Sequence, residues 1–221
     1  MWKFDNPVKI KFGNGSICTL PEIIGGRPYC LVTYNEPYFD QLTAQLVDIA
    51  GAPQSIINDV SPNPDFVPLR KSAETFSNLA TEDTVIVALG GGSVIDTAKV
   101  LASSKNGFGA VQHYLETGQD EDQLANYPII AVPTTAGTGS EVTHWATVWD
   151  VQSQKKYSLA RPCLYPEHAV IDPELTIGLP RDLTITTALD ALSHSLESIW
   201  NHNGNAVSAN HAVFAATEMM A

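Results

Sequence analysis

Short apolar runs alternate with longer segments of helical spacing along the first 180 residues. The runs are rich in β-branched residues and are bounded by Gly, Pro, Asn or Asp, which is typical of buried strands; they lie at 29–33, 55–57, 84–89, 128–132 and 169–171. Apolar residues three or four apart predict helices within 39–49, 69–79 and 94–103. Strands without a polar face, separated by amphipathic helices, indicate a sheet covered on both sides. The pattern therefore predicts a doubly wound, mostly parallel α/β domain.

The pattern changes at Gly178-Leu179-Pro180, after which the sequence has helical spacing over about 182–200 and again from about 205 onward. We therefore expect an α/β domain over residues 1–180 and the beginning of an all-helical domain over residues 181–221. The final residues keep an apolar helical pattern without a glycine cap or a proline stop, so the sequence predicts a truncated chain. Residues 118–126 predict an exposed loop, and residues 153–156 predict a hairpin turn.

Composition narrows the classes of partner. The 221 residues carry a formal net charge of −12, which disfavours nucleic acid and anionic membrane surfaces. The apolar stretches are shorter than the roughly 18 residues of a membrane-spanning helix. The cysteines lack CxxC spacing and predict no disulfide framework, and Cys30 lies in an apolar run, where a buried thiol is expected. With no secretory signal visible, the expected location is the cytoplasm.

A glycine loop follows the predicted strand 84–89 and precedes a helix. In Gly90-Gly91-Gly92-Ser93 the glycines remove every Cβ from the turn, so a phosphate could approach backbone N–H groups and the positive end of the helix. Ser93 and Asp96 are three residues apart and could form a capping box. A tight, capped turn without a ligand is the alternative, since glycine turns are common at strand ends.

A second loop, 133–141, follows the predicted strand 128–132. Its sequence, PTTAGTGSE, contains four hydroxyl side chains and two glycines in nine residues. Hydroxyls and exposed amides can line a cofactor without adding net charge. A turn whose hydroxyls satisfy its own backbone is the alternative.

A carboxylate and an imidazole lie one helical turn apart beyond the predicted domain boundary. Asp190, His194 and Glu197 share one face of the predicted helix, beside an apolar stripe formed by Leu189, Leu192, Leu196 and Ile199. Asp190 and His194 could therefore bind one borderline cation such as Fe²⁺ or Zn²⁺. A surface ion pair is the alternative.

Four motifs in this order resemble the iron-containing alcohol dehydrogenase family. They are GGGSVID at 90–96, PTTAGTGSE at 133–141, IDPELT at 171–176 and DALSH at 190–194. Asn6-Pro7 with Phe12-Gly13 is similar to that family as well. The glycine run alone is also similar to glycerol dehydrogenases and dehydroquinate synthases.

The resemblance implies an N-terminal dinucleotide domain of dehydroquinate synthase-like architecture, a helical C-terminal domain and an active site between them. NAD or NADP would be the cofactor, held by Gly91, Gly92, Ser93, Asp96, Thr134, Thr135, Thr138 and Lys156. Asp190 and His194 would be two of four ligands of a divalent metal, Fe²⁺ or alternatively Zn²⁺; the family's other two are histidines farther along than residue 221. The implied reaction transfers a hydride between the nicotinamide and a small alcohol or aldehyde at the metal.

Two features of the sequence qualify that expectation. With half of the metal ligands, residues 1–221 are expected to bind nucleotide without catalysing the reaction. At the end of the first predicted strand, many NAD-preferring members have an aspartate, whereas here the residues are Thr33-Tyr34-Asn35, so use of NADPH or of either cofactor is a hypothesis. A non-catalytic nucleotide-binding module and a lyase-type enzyme of the same architecture are the alternatives, and a homodimer is possible.

Overall fold

The structure is a computed structural model that describes residues 1–2, 4–105 and 107–220. The strands of the described residues are β1 (Lys9–Phe12), β2 (Tyr29–Val32), β3 (Ser55–Ile57), β4 (Val85–Gly90), β5 (Ile129–Pro133), β6 (Trp145–Asp150), β7 (Lys155–Ala160) and β8 (His168–Ile171). The α-helices are α1 (Leu20–Ile24), α2 (Pro37–Ala50), α3 (Phe66–Leu79), α4 (Gly92–Ser103), α5 (Gly109–Thr117), α6 (Arg181–Trp200) and α7 (Ala206–Met220).

Six of these strands form one parallel sheet in the order β1-β8-β5-β4-β2-β3, and β6 and β7 form a separate antiparallel pair. The five strands predicted from apolar runs all lie in the parallel sheet, so the doubly wound α/β prediction is confirmed. The strand β1 was not predicted. Its four residues are exposed, and its alternating Lys and apolar residues give no buried run to detect.

Helices cover both faces of the sheet because the central strands are apolar on both sides. All six residues of β4 are buried. On one face Ile86 and Ala88 pack with residues of α3 and α4, and on the other face Val87 and Leu89 pack with residues of α1 and α2. This arrangement leaves the ends of the strands as the place where polar loops gather.

Two local predictions differ from the structure. The predicted hairpin exists, but its turn ends before Lys155, so Lys156 lies in β7 rather than in the turn. The helix α5 was not predicted. The acidic segment 118–126 begins right after it at Gly118 and contains a short 3₁₀ helix at Glu121–Gln123, with the remainder irregular.

The two helices predicted after residue 180 are confirmed as α6 and α7, which pack on each other. Ala191 and Ser195 of α6 are buried, whereas the predicted apolar stripe is largely exposed, with Leu189 60% accessible. Ala221, part of the predicted unfinished helix, lies outside the described residues. Among the helices of the described ranges, we find none that combines the length and hydropathy needed to cross a bilayer. The division into two domains stays a prediction.

Candidate functional site

The glycine loop and the Ser/Thr-rich loop lie side by side. They follow β4 and β5, which are neighbours in the sheet, and Gly90 is paired with Pro133 at the ends of these strands. The Thr134 N–H donates to the Gly90 carbonyl at 3.1 Å, which fixes the start of one loop against the other. Thr134 itself is buried. Ligands of parallel α/β sheets bind at this carboxyl edge of the strands.

Threonine side chains approach the glycines closely. A Cβ added to Gly91 would lie 3.1 Å from the Thr135 Oγ1, and one added to Gly92 would lie 2.9 Å from the Thr138 Oγ1. The two threonine hydroxyls therefore lie so close to the glycine backbone that side chains at Gly91 and Gly92 would crowd them. Because the glycines have no side chains, one small ligand could reach both the backbone amides and the threonine hydroxyls. Together these groups form a suitable set of donors for a phosphate group.

The helix α4 begins at Gly92 with Gly91 as its N-cap, and no described side chain caps it. The Val94 N–H of its first turn donates to the Gly91 carbonyl at 3.0 Å. The N–H groups of Gly92 and Ser93 therefore remain to meet an anion, together with the positive end of the helix. The predicted capping box is wrong, because Asp96 is engaged elsewhere. Its carboxylate accepts hydrogen bonds from the Ser140 Oγ at 2.7 Å and from the Thr147 N–H at 2.9 Å. The Ser93 Oγ accepts instead from a backbone N–H in the loop before α3.

Asp96 sits in a partly buried electrostatic cluster. Burial raises the pKa of its carboxyl, while hydrogen bonds from Thr147 and Ser140 and the charges of Lys99 and Lys156 oppose that rise. Lys156 also lies over the Trp149 ring, with its Nζ 5.5 Å from the ring centroid. The structure therefore places this lysine, predicted to contact the cofactor, near Asp96, three residues after the glycine loop.

Lys99 was not predicted as a site residue, although it is fully buried in α4. Its Nζ donates to the Ser140 carbonyl at 2.8 Å and to the Trp145 carbonyl at 2.6 Å. Burial lowers its pKa to about 8, and the neighbouring Asp96 and Glu141 oppose that shift. The available sequence signal was a lysine among the apolar residues Val94, Ile95, Ala98, Val100 and Leu101 of a helix predicted to cover the sheet.

Asp190 and His194 face the same side of α6, with the His194 Nε2 3.8 Å from an Asp190 carboxylate oxygen. The Ser/Thr-rich loop lies against the preceding turn, because a Cβ added to Gly137 would be 2.7 Å from the Thr187 carbonyl oxygen. Glu197, on the same face by spacing, accepts a hydrogen bond from Ser193. The described residues contain no cluster of three or more potential metal ligands. The pair can supply two ligands, and its role stays a prediction.

The residues after β2 lie close to Ser93 and Asp96 of α4. Tyr34 is half-buried, and burial raises the pKa of its hydroxyl; a hydrogen bond with Ser93 lowers it, and the charges of Glu36 and Asp96 raise it further. No carboxylate occurs at residues 33–35, but Glu36 is close enough to act on the Tyr34 hydroxyl. Glu36 was not predicted as a site residue.

Comparison with known proteins identifies the family. The family model described as iron-containing alcohol dehydrogenase matches residues 7–173. The chain belongs to the iron-containing alcohol dehydrogenase family. The match extends from the segment before β1 to the residues after β8, so it includes both loops that are predicted to hold the cofactor of this iron-containing alcohol dehydrogenase chain.

Among its curated relatives is a choline dehydrogenase of Bacillus subtilis strain 168, which is 34% identical over 203 residues and covers 88% of this chain and 50% of the relative. The chain thus spans about half the length of that relative. The sulfoacetaldehyde reductase of Bifidobacterium kashiwanohense, solved in complex with NAD⁺, matches with a TM-score of 0.88 and 33% identity over 99% of this chain and 58% of that one. The NADH-dependent butanol dehydrogenase A of Thermotoga maritima matches with a TM-score of 0.87 and 28% identity over 100% of this chain and 56% of that one. These similarities confirm the α/β dinucleotide-binding fold of the family.

Proposed function

We propose that this chain binds a nicotinamide dinucleotide as the cofactor domain of an alcohol or aldehyde oxidoreductase. The observation that carries the proposal is that the Thr138 hydroxyl lies close to Gly92 at the start of α4, where no described side chain caps the helix. The residues proposed to hold the cofactor are those predicted from the sequence: Gly91, Gly92, Ser93, Asp96, Thr134, Thr135, Thr138 and Lys156. Family membership favours an oxidoreductase over a lyase-type enzyme of the same architecture.

Titration of the chain with NADH tests this proposal directly. NADH fluorescence is expected to increase on binding, and NAD⁺ and ADP-ribose are expected to compete for the same site. Adenosine, which has no pyrophosphate, should bind more weakly because it cannot use the amides of α4. No saturable binding of NADH or ADP-ribose would refute the proposed function.

Between the two dinucleotides, we propose NAD(H) as the preferred cofactor. The support is Glu36, whose negative charge acts at the Tyr34 hydroxyl and would repel the 2′-phosphate of NADP. The sequence-based hypothesis of NADPH use, or of use of either cofactor, is the competing outcome. The variant Glu36→Gln is expected to increase the affinity for NADPH relative to NADH by about two- to fivefold, the usual size of one exposed charge.

The matched control for Glu36→Gln is Asp40→Asn, which removes an exposed charge one turn farther along α2. Its ratio of NADPH to NADH affinity should equal that of the unaltered chain. Tighter binding of NADPH than of NADH by the unaltered chain would show that the competing hypothesis is right.

For the metal, we propose that Asp190 and His194 serve as two ligands of a divalent cation, iron or alternatively zinc. The bound metal would polarise the alcohol oxygen, and the nicotinamide would exchange the hydride. Because the described residues supply two such ligands, we expect no metal-dependent alcohol oxidation by residues 1–221 alone. Turnover of a simple alcohol with NAD⁺ that stops on adding a chelator would contradict this expectation.

The remaining partners follow from the same proposal. A small alcohol or aldehyde is proposed as the substrate of the whole enzyme. The cytoplasmic location and the possible homodimer stay predictions of the sequence.

A further inference from the structure

Lys99 is a buried cation directly beneath the two cofactor loops. It follows Gly92 by seven residues, about 10 Å along a helix axis, and it faces the segment between β5 and β6 rather than solvent. Its Nζ contacts the Ser140 carbonyl at 2.8 Å, the Ser140 Oγ at 2.9 Å and the Trp145 carbonyl at 2.6 Å. A fourth, longer contact goes to the Thr143 Oγ1 at 3.4 Å.

The contacts of Lys99 continue to the glycine loop through Ser140. The Ser140 Oγ donates to the Asp96 carboxylate, so it can accept from Lys99 at the same time. The Ser140 N–H donates to the Thr138 Oγ1, and that hydroxyl lies against Gly92. A chain of hydrogen bonds through Ser140 therefore connects the lysine to the Thr138 hydroxyl beside α4.

Charge balance gives Lys99 a second role. Asp96 and Glu141 are partly buried carboxylates, and the charge of Lys99 lowers the pKa of both against the effect of burial. Lys156 also acts on Asp96. Without Lys99, two carboxylates would face one lysine at the edge of the sheet, and an approaching pyrophosphate would meet net negative charge. His144 is a further titratable group near Lys99, and its pKa is lowered by burial and by the charge of that lysine.

We propose that Lys99 is a positioning residue that holds the 138–145 segment against α4 and compensates Asp96 and Glu141, so that this edge of the sheet accepts an anionic dinucleotide. This inference rests on the proposed cofactor function. It makes the affinity for NADH depend on the charge of a residue that does not itself touch the cofactor.

The unaltered chain provides the first test. The pKa of Lys99, lowered to about 8, means that the ammonium is charged at pH 7 and largely neutral at pH 9.5. The affinity for NADH should therefore fall about tenfold over that range, the size expected of one charge acting over about 10 Å in a protein. The affinity for adenosine, which is neutral, should stay constant. A constant ratio of the two affinities across this pH range would overturn the proposal.

Two variants and a control provide the second test. Lys99→Met is expected to weaken NADH binding about tenfold at pH 7 while adenosine binding is retained. Lys99→Arg keeps its charge at high pH, so its NADH affinity should lose the dependence between pH 7 and 9.5. The control Lys105→Met removes an exposed lysine just after α4 and should bind both ligands as the unaltered chain does.

The outcomes separate the possibilities. Equal losses of NADH and adenosine affinity in a folded Lys99→Met variant would indicate a purely structural lysine and overturn the proposal. If that variant does not fold, the pH series on the unaltered chain decides. Failure of the unaltered chain to bind NADH at any pH overturns both this inference and the proposed function, whereas normal binding without the Lys99 effects overturns this inference alone.

Discussion

Gly137 links the Ser/Thr-rich loop to the helix that bears Asp190 and His194. Its missing side chain permits the loop to touch the α6 backbone, since a Cβ would lie 2.7 Å from the Thr187 carbonyl oxygen. A backbone atom cannot rotate away as a side chain can. This one residue thus sets how closely the Ser/Thr-rich loop approaches the helix that bears the proposed metal ligands.

The variant Gly137→Ala should therefore destabilise the chain by about 2 kcal/mol, because α6 or the loop must shift to accommodate the methyl group. Urea unfolding followed by circular dichroism measures the difference. The control Gly109→Ala adds the same methyl group at the start of α5, where nothing lies within 4 Å, and should be neutral or slightly stabilising. Equal unfolding free energies for the two variants would show that the contact is not constraining.

At the scale of elements, the parallel sheet could be predicted from the sequence because its strands carry their own signal. Tyr29–Val32 and Val85–Gly90 are apolar on both faces, and glycines or polar residues bound them. The strand β1 carries no such signal, because it lies at the sheet edge and becomes a strand only by pairing with β8. Within the parallel sheet, short-range patterns therefore located the five strands with apolar runs and missed the strand defined by a distant partner.

The same difference between local and distant signals explains which parts of the candidate site could be predicted. The two loops predicted to hold the cofactor could be recognised because each is a local sequence feature, and the pairing of β4 with β5 brings them together. The capping box was wrong because Asp96 bonds to Ser140 and Thr147, which are 44 and 51 residues away. Spacing within one helix cannot show such competitors. Lys99 was missed for the same reason, since its partners belong to a segment about 40 residues later.

Asp65 connects the start of α3 to the β6–β7 turn. One of its carboxylate oxygens caps α3 by accepting from the Val67 N–H, and the other accepts from the Val151 N–H in the β6–β7 turn. The variant Asp65→Ala should lower the unfolding free energy by about 1 to 2 kcal/mol, the usual cost of losing an N-cap.

Thermal unfolding of Asp65→Ala can be compared with that of Asp48→Ala. Asp48 is exposed in the last turn of α2, where a negative charge meets the negative end of the helix, so its removal should leave the stability unchanged or slightly higher. A loss in Asp48→Ala as large as that in Asp65→Ala would contradict the capping role.

At the scale of the whole molecule, Asp172 holds the first part of the chain to the last strand of the sheet. It belongs to the IDPELT motif, and its buried carboxylate accepts hydrogen bonds from the Gly15 and Ile17 N–H groups. It also accepts from the Glu174 N–H at the start of the following 3₁₀ helix. This part of the family motif therefore has a structural role apart from the cofactor.

The variant Asp172→Asn should destabilise the chain by about 2 kcal/mol, because an amide NH₂ replaces one of the two acceptor oxygens that face backbone donors. Asp83→Asn, at an exposed position before β4, is the control and should change little. Denaturant unfolding monitored by tryptophan fluorescence measures both variants. An Asp172→Asn variant as stable as the control would show that these hydrogen bonds do not stabilise the chain.

The pairing of β1 with β8 also has a consequence for the order of folding. Lys9 is paired with His168, so the outer edge of the sheet closes over a separation of 159 residues. Contacts so distant along the chain form late, because a long loop must be ordered before they are made. During synthesis, β1 therefore cannot pair until residues 168–171 have left the ribosome. The β4–β2–β3 part of the sheet can assemble first, and the amino-terminal segment joins it last, when β8 and Asp172 become available.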